Sequence, residues 1–337
     1  MEARQDGYAV DLEGYFRRRL VDGYRRRSEE LWQRDHSSTE AFLASVAERR
    51  TAWRQLLNPP PLTPSSPPVS GGSVVPEARW LTVRCDEGLS AEGLLVTPPG
   101  AHRLVVFQHG LGSLPERVFG VGDEAGAYDA VGTRLVEAGY AVLAPMNLIG
   151  IPQRNRAQSL ARLAGTTVEG LEFSRLQALL ACLPQVVPEV AVDAYALAGM
   201  SWGGLAAQYW TPLDDRIAVA VSSGFFNHRP NKMVVQDSRY VTFADTGEDH
   251  AFLHGMLDGF DDADLASLVC PRPMMVQLGR ADRIGWWPQA EECFHAAAEH
   301  WRLLGVAERI DLQFHDGGHE VEAGPIVEFL HRWFPAR

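Results

Sequence analysis

Gly199-Met200-Ser201-Trp202-Gly203, read with the apolar run Ala194-Tyr195-Ala196-Leu197-Ala198 before it, decides the fold of this chain. A G-x-S-x-G turn between a strand and a helix lifts a serine hydroxyl off the end of a sheet. Its flanking positions must be small, because the helix packs against the strand that delivers the serine. The stretch Gly204-Leu205-Ala206-Ala207-Gln208-Tyr209-Trp210 suits a helix, and Pro212 ends it. In a chain with 31 glycines the pattern alone is weak. Strand, tight turn and helix together are the context it requires.

Working outward, strands and helices alternate from about residue 78. Strands are expected at 79–85, 92–97, 103–108, 140–144, 194–199, 216–222, 273–279 and 309–314. Helices are expected near 127–138, 170–183, 203–210, 288–304 and 320–334. Leu104-Val105-Val106-Phe107, Ala141-Val142-Leu143, Ala218-Val219-Ala220-Val221 and Met274-Met275-Val276 are continuously apolar. Strands of a parallel sheet buried on both faces read this way. The alternation predicts an α/β fold with a doubly wound, mostly parallel sheet of eight strands.

Residues 78–337 are expected to form the α/β domain. Residues 1–57 read as a helical N-terminal extension, with Val10, Phe16, Leu20, Leu31, Trp32, Phe42, Val46, Trp53 and Leu57 at roughly helical spacings. Its arginine runs, 17–19 and 25–27, alternate with glutamates and aromatics as on a solvated helix face. Residues 58–77 are rich in proline and glycine and read as a stiff, extended linker. Residues 223–270 are too long for a simple crossover and read as an insertion between the sixth and seventh strands, a lid or substrate wall. The acidic cluster Asp258, Asp261, Asp262 and Asp264 fits a solvated loop and helix cap better than a metal site, since no histidine joins it at ligand spacing.

Composition bounds the rest. Apolar residues make up 46% and charged residues 22%, as in an ordinary soluble globular protein. A net charge of −12 argues against nucleic acid and anionic membrane surfaces as partners. Cys85, Cys182, Cys270 and Cys293 are far apart, so buried thiols are expected rather than disulfides or a zinc site. No apolar leader and no run of 18 apolar residues is visible, and a cytoplasmic location is the expectation.

A serine nucleophile needs a base, and the base needs an orienting carboxylate. Asp282 follows the expected strand at 273–279, in Gly279-Arg280-Ala281-Asp282. His319 follows two glycines after the last strand, in His315-Asp316-Gly317-Gly318-His319-Glu320. His315 and Asp316 are the rivals, one too near its strand and the other too near His319 in sequence. An oxyanion needs two donors. The residue after the nucleophile, Trp202, offers one backbone N–H. The loop Gln108-His109-Gly110-Leu111-Gly112-Ser113 offers the other, from Leu111 with Gly112 second.

These four motifs together resemble the α/β-hydrolase superfamily, over about residues 78–335. The nearest resemblance is to the dienelactone hydrolase and acetyl xylan esterase-like branch. Dienelactone hydrolases proper use a cysteine nucleophile, whereas Ser201 favours oxygen esters. The resemblance implies hydrolysis of carboxylic esters, often of acetylated sugars, with no metal or organic cofactor. Small-molecule or carbohydrate esters are the partners this implies; a homodimer is left open. For the substrate pocket, the candidates are Trp286, Trp287, Arg156 and Phe225, with the ring of Trp202 beside Ser201 and Arg154 beside Arg156; packing and surface roles compete for each. A prolyl-oligopeptidase-like peptidase shares the triad, but about 75 N-terminal residues cannot make a propeller. A catalytically idle binding protein is the third reading.

Overall fold

Alternate residues of each central strand face opposite layers of helices, which is why those strands read as unbroken apolar runs. The computed structural model describes residues 2–86 and 88–336. Its strands are β1 (Val69–Gly71), β2 (Arg79–Arg84), β3 (Ser90–Val96), β4 (Leu104–Gln108), β5 (Ala141–Pro145), β6 (Tyr195–Met200), β7 (Ile217–Ser223), β8 (Met274–Gly279) and β9 (Ile310–His315). The helices are α1 (Glu2–Arg17), α2 (Tyr24–Leu31), α3 (Thr39–Leu57), α4 (Pro115–Val118), α5 (Val131–Glu137), α6 (Ile151–Leu163), α7 (Val168–Cys182), α8 (Trp202–Trp210), α9 (Arg229–Val234), α10 (Asp262–Val269), α11 (Trp287–Leu303) and α12 (Ala323–Trp333).

The described strands form one sheet in the order β1-β2-β3-β5-β4-β6-β7-β8-β9. Pairing is antiparallel from β1 through β3 to β5 and parallel from there onward. Leu104 and Val106 join a core with α3, α7, α8, α10 and α11. Val105 and Phe107 join the opposite core with α4, α5 and α12. This is a doubly wound α/β sheet.

The sheet has one more strand than the eight expected. Val69–Gly71 lies in the Pro/Gly-rich stretch and pairs along β2, with Val69 opposite Thr82. All three of its residues are exposed, so no apolar alternation marks it, and Pro68 before it is compatible with an edge position. Helix α6 is a second addition. It buries Arg154, Gln158 and Ala161, a stripe at helical spacing that is mostly polar and gives no hydrophobic signal.

The acidic cluster departs from expectation in part. Asp261 does cap α10, accepting from Asp264 N at 2.7 Å. Asp262 and Asp264, however, are buried. Asp262 pairs with Arg229 at 2.7 Å, and Asp264 accepts from Tyr24 Oη at 2.6 Å and from Arg34 at 2.6 Å. The cluster thus anchors the N-terminal helices to the insertion. Trp53 Nε1 adds a bond to Tyr209 O at 2.9 Å, which seats α3 on α8.

Candidate active site

Ser201 occupies a backbone conformation that only local packing can hold. Its φ is 58° and ψ is −120°, a sparsely populated region for a side-chain-bearing residue. Its N–H donates to Ser223 O at 2.8 Å, so the strained turn is tied to the end of β7. Gly203 lets α8 lie directly on β4: a Cβ there would sit 1.9 Å from Gln108 O.

The loops after β8 and β9 are stapled to each other. Ala281 N donates to Gly317 O at 3.0 Å, and Arg280 N donates to His315 O at 2.8 Å. Gln277, buried at the end of β8, donates to Glu322 O at 2.8 Å and accepts from Glu322 N at 3.0 Å. These bonds fix the loop that carries His319. Ser201 Oγ donates to His319 Nε2 at 2.8 Å, and His319 Nδ1 donates to Asp282 Oδ2 at 2.7 Å. The tautomer with its proton on Nδ1 satisfies both bonds. The other carboxylate oxygen, Oδ1, accepts from Ile284 N at 2.7 Å, which fixes the carboxylate plane. His315 remains at the end of β9, and Asp316 is exposed. Such a chain can move the serine proton to the imidazole and stabilise the resulting cation.

The N–H groups of Leu111 and Trp202 have no acceptor among the described residues. Gly112, the second candidate, donates to Ile149 O at 3.1 Å and is occupied. Gly110 N donates to Tyr128 Oη at 2.9 Å, which holds the loop from the other side. Leu111, Ser201 and Trp202 all line one cavity of about 770 Å³, counting its open mouth.

The cavity walls are mainly apolar, with Phe225, Val241, Phe243, Leu253 and Ile284 among them. Two carboxyls, an amine and an imidazole interrupt this lining: Glu169, Glu248, Lys232 and His250. Burial pushes the Glu169 carboxyl up to about 7, against the pull of Arg154. Burial also lowers the Lys232 ammonium to about 8, with Arg229 adding repulsion. His250 falls to about 3 through burial and the nearby Arg154 and Arg162 charges. Lys232 Nζ donates to Val241 O and Ile284 O, joining the insertion to the loop that carries Asp282.

Of the pocket candidates from the sequence, Phe225 and Trp202 line this cavity. Trp286 and Trp287 do not: Trp286 lies beneath Arg239 at 3.7 Å, and Trp287 packs on Phe314 and beneath Arg280 at 4.6 Å. Trp287, at the start of α11, instead lines a separate small crevice with Asp282 and Gly224. Arg156 is exposed on α6, because the helix turns its neighbour Arg154 inward instead. Arg154 is fully buried, bonded to Glu172 at 2.7 Å and Glu169 at 3.2 Å. Lys232 went unread, although the chain holds only this lysine among 31 lysines and arginines, a signal composition does carry.

No family model and no curated protein sequence matches the chain. Solved structures do. A candidate acetyl xylan esterase from Bacteroides fragilis superposes with a TM-score of 0.65 at 13% identity, over 83% of this chain and 77% of that one. A methylesterase gives 0.61 at 16% identity, over 88% and 65%. A carbohydrate esterase family 15 glucuronoyl esterase from Caldicellulosiruptor kristjansonii gives 0.58 at 16% identity, over 88% and 87%. At these identities the shared property is the fold, which is that of the α/β-hydrolases. Among the described residues, no helix is long and apolar enough to cross a membrane, and no group of three or more His, Cys, Asp or Glu is placed to hold a metal ion.

Proposed function

We propose that this α/β-hydrolase-fold protein is a serine hydrolase of carboxylic esters. The observation that carries the reading is the hydrogen-bonded chain from Ser201 through His319 to Asp282, opening on a largely apolar cavity. Ser201 Oγ attacks the ester carbonyl while His319 Nε2 takes its proton. Asp282 holds the imidazole orientation and stabilises its cation. The carbonyl oxygen gains negative charge and accepts hydrogen bonds donated by the Leu111 and Trp202 N–H groups. His319 returns the proton to the departing alcohol, leaving an acyl group on Ser201. It then deprotonates water, which attacks the acyl carbonyl; the bond to Ser201 Oγ breaks, His319 returns the proton to Oγ, and the carboxylic acid leaves.

The apolar walls favour a short acyl group in the cavity, with the alcohol toward the mouth. The carbohydrate esterases among the structural neighbours support a sugar-bearing substrate. The test is hydrolysis of p-nitrophenyl acetate, butyrate and octanoate, and of acetylated xylo-oligosaccharides, by the wild type and Ser201→Ala. The reading expects the short esters to be cleaved and Ser201→Ala to lose on the order of 10,000-fold or more of that activity. Unchanged hydrolysis by a folded Ser201→Ala protein would overturn it.

A further inference from the structure

Behind the cavity floor sits a buried cation that the steps above do not use. Arg154 is 0% exposed. Its guanidinium lies 4.4 Å from the centroid of the Trp202 indole. Its NH1 donates to Leu148 O at 3.0 Å and to Glu172 Oε1 at 2.7 Å. Glu172 Oε1 also accepts from Leu148 N at 3.2 Å, so both backbone groups of Leu148 are pinned by one ion pair. The next residue, Ile149, accepts Gly112 N at 3.1 Å and so holds the loop carrying Leu111.

We infer that Arg154 is a positioning residue for the oxyanion site, fixing Trp202 through its ring and Leu111 through the 148–149 backbone. Two donors from loops far apart in sequence must converge on one oxygen, and displacement of either weakens charge stabilisation in the transition state. One planar guanidinium spans both supports: it lies over the indole while its N–H groups bond to a carbonyl and two carboxylates, Glu172 and Glu169. Lysine offers a point charge on a flexible stem and can reproduce the charge without the stack. Arg154 touches no reacting atom, so its effect belongs in kcat.

This inference rests on the proposed reading of the Leu111 and Trp202 N–H groups as oxyanion donors. The test compares wild type, Arg154→Lys and the double variant Arg154→Met with Glu172→Gln, which removes the cation and the Glu172 carboxylate together; Glu169, the second partner, then loses the pull of Arg154 and is kept protonated by its burial. Each is measured for kcat and KM on p-nitrophenyl butyrate, for inhibition by phenylboronic acid, which forms a tetrahedral serine adduct, and for thermal midpoint. The expected result is a kcat on the order of 10- to 100-fold lower in both variants, with KM within a few-fold of wild type. Boronate affinity should weaken in step with kcat. If Arg154→Lys fails to fold, the double variant decides. A folded variant with wild-type kcat and boronate affinity overturns the inference, as does a raised KM with kcat unchanged. A wild type that neither cleaves the ester nor binds the boronate overturns the ester hydrolase reading itself, a separate outcome.

Discussion

The corner around Ser201 and the cavity wall that faces it are held by different kinds of bond. In the corner, most ties are backbone to backbone, with buried Gln277 and Tyr128 adding side-chain bonds: Ser201 N reaches Ser223 O, Ala281 N reaches Gly317 O, and Gly203 rests against Gln108 O. The facing wall hangs on side chains. Lys232 ties Val241 O to Ile284 O, Arg162 reaches Asp249 O and Phe252 O, and Asn155 grips Gly247 O and His250. Geometry built from backbone and glycine tolerates almost no substitution. A wall held by a few long polar side chains can change shape while the fold persists, which suits a region that sets substrate preference.

The sharpest break should come from Gly203→Ala. Its methyl has no room against Gln108 O, so α8 must shift off β4. The expected cost is about 3 kcal/mol or more of stability, with ester hydrolysis lost alongside. Thermal unfolding and p-nitrophenyl butyrate turnover check it. A variant with wild-type midpoint and activity would end the distinction between corner and wall.

Lys232→Met should act more mildly. It removes the bonds to Val241 O and Ile284 O, costing about 1–3 kcal/mol through carbonyls left unpaired. Activity should drop no more than about tenfold, while relative kcat/KM moves toward longer acyl chains as the wall loosens, an effect of roughly 1–3 kcal/mol at most. Chain-length profiles of the two proteins measure this. A collapse as large as that of Ser201→Ala would place Lys232 with the corner instead.

The smallest effect is a difference in pH dependence. His250 is neutral in the folded wall, its value lowered to about 3, and takes an ordinary value of 6.5 when unfolded. The unfolded chain therefore binds the extra proton first as pH falls. Stability from this histidine is fully present above pH 6.5 and is lost progressively between 6.5 and 3, by up to roughly 1.4 kcal/mol per pH unit. His250→Asn should flatten the decline of the thermal midpoint between pH 6.5 and 5. Parallel curves for the two proteins would show that His250 titrates normally in the folded state.

The same division explains what the sequence disclosed. Ser201, Asp282 and His319 each follow an apolar run and sit beside glycines, so local pattern alone placed them at strand ends. The mostly parallel character of the sheet was legible in the apolar runs of β4, β5, β7 and β8, whereas the order of its strands was not. The wall left no such trace. Lys232, Glu248 and His250 reach the cavity only through the path of the insertion, and Glu169 does so where α7 meets the polar stripe on α6 that buries Arg154 behind it. Trp286 and Trp287 misled because closeness in sequence to Asp282 says nothing of direction once α11 begins. The additional strand β1, three exposed residues long, offered no alternation to read.

The central claim is that His319 activates Ser201, and the most direct measurement is reaction with a fluorophosphonate probe, read by intact mass and peptide mapping. The account predicts one adduct per chain, on Ser201, formed at least about a hundredfold more slowly in His319→Asn. A folded protein that forms no adduct on Ser201, or one labelled as fast without His319, would contradict it.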